Sequence, residues 1–422
     1  MRPATRFDVL RLREFRLVFG AATVSLLGDG IVPVALAFAV LDLTGSATDL
    51  GIVLGAESLA LVCSLLFGGV VADRVGRRTV MIAADLMRLV GQAAIGVLLV
   101  SGHASVLTLA MSQAVLGAAT GFFNPASSGL LPAIAGEHLQ QANALRGMAM
   151  AAGAIGGPAI GGLLVVTVGP GPGLLIDAAT YATSALLLAR MRTGPSRPAA
   201  ARQRFLVDLR EGFAELRSRT WAWSIIVAAS LANTVGVSFL VLGAVVAKRD
   251  LGGAAAWAAI LVARALGLFA GGTVLLRSQP RRPLLTGVSA CALAALPLIL
   301  LGLGAPLVVI ALAAMLAGLG AVVFNTLWET TLQQQVPAHV RSRMSSYDWF
   351  GSLALQPAGY VLIGPLAAGV GVSEALYLCA ALQLAALLPL LALKDIRTLT
   401  SRVDDGRRLE PDAATPSRLQ DA

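Results

Sequence analysis

Apolar runs of about 20 residues, separated by short polar stretches, recur about twelve times along the chain. They fall at 17–41, 50–71, 79–100, 104–123, 142–168, 172–189, 221–246, 255–276, 284–303, 305–328, 347–369 and 373–393. A helix of about 20 residues is about 30 Å long, the thickness of a bilayer's hydrocarbon core. Gly, Ala and Leu are spread through each run with no period of two, so the pattern predicts membrane-crossing helices and not a β-barrel. Arg11, Arg13 and Arg16 precede the first run, which contains Ala35-Leu36-Ala37, a faint likeness to a signal peptide. Its length and the runs that follow predict an uncleaved first helix.

Composition supports this reading. Of 422 residues, 57% are hydrophobic and 13% charged, against about 25% charged in soluble proteins, and the mean hydropathy is +0.79. A soluble globule, a disordered chain, collagen and a disulfide scaffold are excluded. The net charge of +9 does not point to nucleic acid, because the basic residues sit in short clusters between apolar runs and not on one face or arm. Cys63, Cys291 and Cys379 lie far apart inside apolar runs. That spacing predicts buried thiols, no metal site and no cofactor.

The basic clusters also predict orientation. With the N-terminus inside, the segments Arg2 to Arg16, Arg74 to Arg78, Arg146, Arg190 to Arg219, Arg277 to Arg282, Arg341 and Arg343, and the tail all face the cytoplasm. Lys248 and Arg249 face outward, and Arg88 and Arg264 lie within spans. The positive-inside rule then places both termini in the cytoplasm. The expected division is an N-terminal six-helix bundle (1–191), a cytoplasmic linker (192–219), a C-terminal six-helix bundle (220–397) and a disordered tail (398–422). In the linker Phe205, Leu209, Phe213 and Leu216 recur at helical spacing among Arg210, Glu211, Glu215 and Arg217, which predicts an amphipathic helix on the inner membrane surface.

The halves resemble copies. An offset of about 204 residues carries Arg77-Arg78 onto Arg281-Arg282, Asp29 onto Asn233, and Pro132 nearly onto Pro337. Parallel six-span repeats of this kind build one large class of transporter.

Between spans two and three the chain reads Gly69-Val70-Val71-Ala72-Asp73-Arg74-Val75-Gly76-Arg77-Arg78. The glycines allow a tight reversal, Asp73 suits a helix N-terminus, and the arginines can pair with surface carboxylates. This segment resembles the loop signature of the major facilitator superfamily, where it is implied to latch the halves in the outward-open state. Gly153, Gly157, Pro158, Gly161 and Gly162 in span five are similar to the antiporter helix motif of that superfamily's drug exporters, although its upstream glycine would fall at Ala144. Small residues at this spacing equally serve as a helix-packing seam. Ser25-Leu26-Leu27-Gly28-Asp29, Leu43-Thr44-Gly45-Ser46, and Asp85 with Arg88 resemble a bacterial branch that includes macrolide and enterobactin exporters. The resemblance runs from Leu10 to about Thr398. It implies an all-α fold of twelve transmembrane helices in two six-helix bundles, and efflux by drug:proton antiport. Span four carries no arginine, so the branch's usual relay motif is missing and other ionisable groups must serve.

Such groups are few, and each is expensive at membrane depth. Asp29 lies mid-way along span one, Glu57 in the outer part of span two, Asp177 in the outer part of span six and Arg264 mid-way along span eight. Asp29 and Glu57 are the candidates for proton coupling or a cavity role, with Arg264 as their countercharge and Asn233 as the neutral counterpart of Asp29. Asp85 and Arg88, one turn apart, suit a local charge pair. His103, His138 and His339 fall in loops or at span ends, away from any relay. Trp223, Trp257, Trp328, Trp349, Tyr347 and Tyr360 read as interfacial anchors. Phe324, Asn325 and Trp328 could also line a cavity for a bulky amphiphile.

These features predict a secondary transporter that exports a hydrophobic or amphipathic small molecule in exchange for protons, acting in the lipid bilayer as a monomer. The chain has no GxxxxGK[ST] segment for ATP. A polytopic enzyme holding magnesium and diphosphate would need acidic clusters, and the adjacent pair Asp404-Asp405 lies in the tail. Uptake is the alternative direction, and a non-transporting receptor-like relative is the other class.

Overall fold

The computed structural model describes residues 8–192, 216–278, 280–336 and 338–400. The amphipathic segment expected over residues 205–213 and the tail from 401 onward lie outside these. The elements are α1 (Arg13–Asp29), α2 (Val32–Thr44), α3 (Ala47–Val75), α4 (Arg77–Val100), α5 (Val106–Ala135), α6 (Leu139–Val168), α7 (Pro170–Ala189), α8 (Thr220–Asp250), α9 (Ala254–Arg277), α10 (Pro283–Cys291), α11 (Ala295–Gly302), α12 (Leu307–Gln335), α13 (Ala338–Leu353), α14 (Gln356–Val370), α15 (Val372–Leu387) and α16 (Lys394–Thr398). Among the described residues there is no strand.

Among the described residues eleven helical stretches are long and apolar enough to cross a membrane, and one of them, Val106–Val168, has 63 residues. At 1.5 Å per residue it would measure roughly 95 Å, about three hydrocarbon thicknesses. It divides into α5 and α6 at a 3-10 turn, Gly136–His138, where Gly136 takes φ +50°. Twelve crossings result.

Three spans are broken, and glycine or proline explains each break. α1 gives way to α2 at Gly30, with Pro33 in the first turn of α2. Span nine is interrupted by a 3-10 turn at Ala292–Ala294; Pro297 lacks an N–H and its ring crowds the carbonyl four residues back. Span eleven breaks between α13 and α14, where Pro357 sits in the first turn of α14. Helices also outrun their apolar cores, α3 to Val75 and α12 to Gln335.

Each half packs around its own core. In the first, α3 lies on α5, α4 on α5 and α7, and α1 on α6 and α7; in the second, α9 and α10 lie on α12, and α8 on α14 and α15. The halves meet most closely along two seams, α3 with α14 and α6 with α9, and α2 also packs on α8. Both seams lie at the end remote from the Arg74–Arg78 turn. There Gly51 and Gly55 fit against the backbone and Cβ of Tyr360, Gly364 against Thr48, and Gly162 against Ala258. A continuous apolar cluster joins Val34 to Leu41 and Leu50 of the first half to Val241 to Ala247, Trp257 and Ile363 of the second. Trp257, expected as an interfacial anchor, is wholly buried there against Phe239. Lys248 Nζ donates to Asp42 Oδ1 at 2.6 Å across the same end.

The glycine run of span five is a packing seam on the break in span one. Gly153 sits on the Leu26 carbonyl, Gly157 on Gly30 and Gly161 on Ile31, so any Cβ at these positions would overlap backbone. Positions four apart share one helix face, and this face is pressed against α1 and α2. Gly157→Leu should therefore lower stability by about 1–3 kcal/mol through overpacking. A thermal melt in detergent checks this, and an unchanged melt would rule the seam out.

Candidate functional site

α4 and α7 run antiparallel, and polar residues spaced three and four apart on each form a ladder between them. Asp85 faces Ser184, Arg88 faces Tyr181, and Gln92 faces Asp177. Ser184 Oγ donates to Asp85 Oδ2 at 2.6 Å, and Gln92 Nε2 donates to Asp177 Oδ2 at 2.8 Å. The Arg88 guanidinium lies 5.5 Å from the Tyr181 ring centre and 4.5 Å from that of Phe123 on α5, a cation held between two aromatic faces. Asp85 and Asp177 are 0% exposed and Arg88 is 4% exposed.

The expected Asp85–Arg88 pair forms, with Nη1 and Oδ1 3.6 Å apart. That is a loose pair. Asp85 Oδ1, Arg88 Nε and Gln92 Oε1 are buried without a hydrogen-bond partner, so Arg88 keeps a donor uncommitted in a place where unsatisfied groups are costly.

Asp29 joins the ladder from α1. It is the last residue of that helix, half-buried where the span breaks, and it accepts a hydrogen bond of 2.6 Å from the Tyr181 hydroxyl. Gly28 makes this approach possible, because Asp177 and Thr180 of α7 fill the space a Cβ would take. The charge on Arg88 acts on Asp29, Glu57, Asp85 and Asp177 together. Of the four, Asp85 alone is within salt-bridge distance of Arg88.

Arg264 is the countercharge expected for Asp29 or Glu57. Among the described residues no carboxylate lies within salt-bridge distance of it; its guanidinium stands 5.7 Å from the Phe239 ring centre. Glu57 is half-buried on α3, within electrostatic range of Asp29 and Arg88. Tyr360, across the seam on α14, feels both Glu57 and Arg264. These two hold matching places in the halves: the Glu57 carbonyl is pressed on Gly117 and the Arg264 carbonyl on Gly318.

Asn233 is exposed and donates to the Ser352 carbonyl at 3.0 Å, linking α8 to α13. Trp328 is buried between the rings of Trp221 and Phe324 and donates to Asp348 Oδ2 at 3.0 Å. Its indole is thus part of the second half's core, with Phe324 half-buried and Asn325 exposed beside it. Asp348 escaped the sequence reading because it stands at the very edge of an apolar run.

In the turn after α3, Gly76 takes φ +101°, open to glycine and strained for other residues. Arg77 pairs with Asp73 at 3.3 Å and donates to the Gly129 carbonyl; Arg78 Nε donates to the Leu188 carbonyl at 2.8 Å and its guanidinium also reaches Ala189. Apart from Asp73, Arg77 and Arg78 find carbonyl oxygens and not surface carboxylates; those met by Arg78 are in the C-terminal turn of α7, which leaves carbonyls without helix partners. These contacts all lie within the first half. Gly69 faces open space.

Twelve crossings in two packed halves, with buried charges gathered beside the break of the first span, are the architecture of a membrane transporter. Residues 18–356 match the Major Facilitator Superfamily, and the chain belongs to that family. It is 28% identical over 384 residues to the multidrug efflux pump Tap of Mycolicibacterium fortuitum, covering 84% of this chain and 89% of that one. It is 27% identical over 370 residues to the enterobactin exporter EntS of Escherichia coli O81 (strain ED1a), covering 84% and 85%. The fold is similar to that of a mutant peptide transporter POT, with a TM-score of 0.76 at 13% identity over 94% of this chain and 100% of that one.

Proposed function

We propose that the chain exports a hydrophobic or amphipathic small molecule across a bacterial inner membrane in exchange for protons, as a monomer. Its boundaries are taken as an N-terminal bundle to residue 191, a linker to 219 and a C-terminal bundle to 397. Both termini face the cytoplasm, as the placement of arginines favours. On that orientation the halves are closed on the outer side, and the Asp73–Arg78 turn is the latch that engages when they close inside.

The observation that carries the reading is Asp29: a half-buried carboxylate at the break of a span, tied through Tyr181 to a buried cation. A carboxylate in this place binds a proton when water and cation withdraw and releases it when they return. If drug and proton prefer opposite states of the protein, binding of one promotes release of the other. The relatives named as a multidrug pump and an enterobactin exporter support outward transport of bulky molecules.

Expression in an efflux-deficient bacterial host should raise resistance to at least one member of a chemically diverse antibiotic panel. In everted vesicles the same compound should partly collapse an imposed pH gradient. Resistance without any proton movement would overturn antiport, and accumulation of the compound in the cells would turn the reading to uptake.

A further inference from the structure

We infer that Asp177 is a second proton-binding site of the first bundle, occupied in the state seen here, with its proton on Oδ1. The argument begins with hydrogens. Thr180 Oγ1 lies 2.7 Å from the Asp177 backbone carbonyl and 3.3 Å from Asp177 Oδ1. A hydroxyl has one hydrogen to give, and the carbonyl, an acceptor only, takes it at the shorter distance. With Asp177 ionised, the 3.3 Å contact would set two oxygens together with no hydrogen between them. At 3.3 Å, longer than an O–H···O bond, Thr180 gives Oδ1 no donor, while Oδ2 accepts from Gln92 Nε2 at 2.8 Å; Oδ1 is therefore the oxygen free to carry a proton.

Burial and charge lead to the same place. Asp177 is 0% exposed, and every donor on it is neutral. The charged and titratable groups facing it are Asp29 from α1, Arg88 from α4 and Tyr181 on its own helix. Among the described residues no cation lies within salt-bridge distance of it, and the Arg88 guanidinium is placed beside Asp85 instead. An ionised carboxylate so placed would carry the full penalty of an unpaired buried charge. Asp85 is the internal contrast: equally buried, it has a cation at 3.6 Å and a hydroxyl donor at 2.6 Å, the surroundings of an ion.

Gln92 adds a second observation at the site. Its amide is wholly buried, its nitrogen is on Asp177 and its Oε1 has no partner. Turning the amide over would offer that oxygen to a proton on Oδ2, so the pocket can hold the proton on either carboxyl oxygen. Gly28, against which Oδ1 rests, joins directly to Asp29. The bundle therefore has places for two protons, one facing the break at Asp29 and one enclosed at Asp177. Calling the second a coupling proton rests on the export reading above; its presence on Asp177 does not.

Infrared spectra of the purified full-length protein in detergent at neutral pH test this directly. The parent and Asp29→Asn should both show the C=O stretch of an enclosed carboxylic acid, slow to shift in heavy water, and Asp177→Asn should lack it. Asn reproduces the proposed donor and acceptor pattern, so Asp177→Asn should melt with the parent. Asp85→Asn, which deprives Arg88 of its partner, should melt lower. The inference is overturned if the parent shows no enclosed acid, if the stretch persists in Asp177→Asn, or if Asp177→Asn melts as low as Asp85→Asn. None of these readouts involves transport, so failure of the export assays leaves the test standing.

Discussion

Asp29→Asn should abolish gradient-driven efflux while leaving energy-independent substrate exchange in place. The substitution keeps the side chain's shape and still accepts from the Tyr181 hydroxyl, which stands 2.6 Å from Oδ1. What it removes is the ability to change charge. Without that change a proton gradient has no differential hold on the two states of the transporter, and a ligand that binds both states equally shifts neither. The drug gradient sustained by an imposed pH gradient should fall by more than tenfold, which corresponds to more than about 1.4 kcal/mol of lost driving free energy. Glu57→Gln should act on the same readout. Among the described residues, however, Glu57 makes no hydrogen bond, and it meets Arg88 only at longer range. The Asp29 effect is therefore the larger. The measurement is drug efflux from proteoliposomes with and without an imposed pH gradient, beside exchange of labelled for unlabelled drug. Should both neutralised variants keep full proton-driven efflux and an unaltered pH dependence, neither carboxylate carries the coupling.

The number of spans was legible in the chain because the bilayer imposes a length. A run of about 20 apolar residues has few other uses. The extension of α3 to Val75 and of α12 to Gln335 was not, since hydropathy marks the hydrocarbon layer while the helical hydrogen-bond ladder continues into polar sequence. The turn at Gly76 was legible from its glycines. Asp29 was legible because a lone carboxylate at membrane depth demands an explanation. The ladder that holds it was missed, although its signal is present. Asp85, Arg88 and Gln92 stand at i, i+3 and i+7, and Asp177, Tyr181 and Ser184 at i, i+4 and i+7. Each set lies on one helix face. To join them one must know that α4 and α7 are antiparallel neighbours, which no local pattern states. The same gap covers Arg264: its sign and depth were readable, and its neighbours Phe239 and Tyr360 were not. The glycines of span five were seen, but the surface they pack on, the break at Gly30, is a long-range contact that no local pattern states.

Gly51→Leu should trap the transporter with its halves apart at the end where they now meet, the outer side in the proposed orientation. Gly51 packs on the Tyr360 carbonyl and Gly364 on the backbone of Thr48, with no room for a Cβ at either place. Such contacts between small residues let two helices approach backbone to backbone, and here they join α3 of one half to α14 of the other. A leucine side chain at this contact clashes only when the halves are together, so its penalty falls on the closed state. An overpacking cost of about 2 kcal/mol would shift the equilibrium about thirtyfold toward separation. Turnover should fall steeply, because alternating access needs both states, while membrane insertion stays near that of the parent. Phe38 supplies the reporter: it is buried, and its ring lies near Gly253 of the other half. In a background with Cys63, Cys291 and Cys379 replaced by Ser, Phe38→Cys should be shielded from a membrane-impermeant thiol reagent applied outside. Adding Gly51→Leu should open it to that reagent, and Gly364→Leu should do the same. The two effects should not sum, since both substitutions act on one contact. If Gly51→Leu transports at the parental rate with Phe38→Cys still shielded, the α3–α14 seam does not control access to the site.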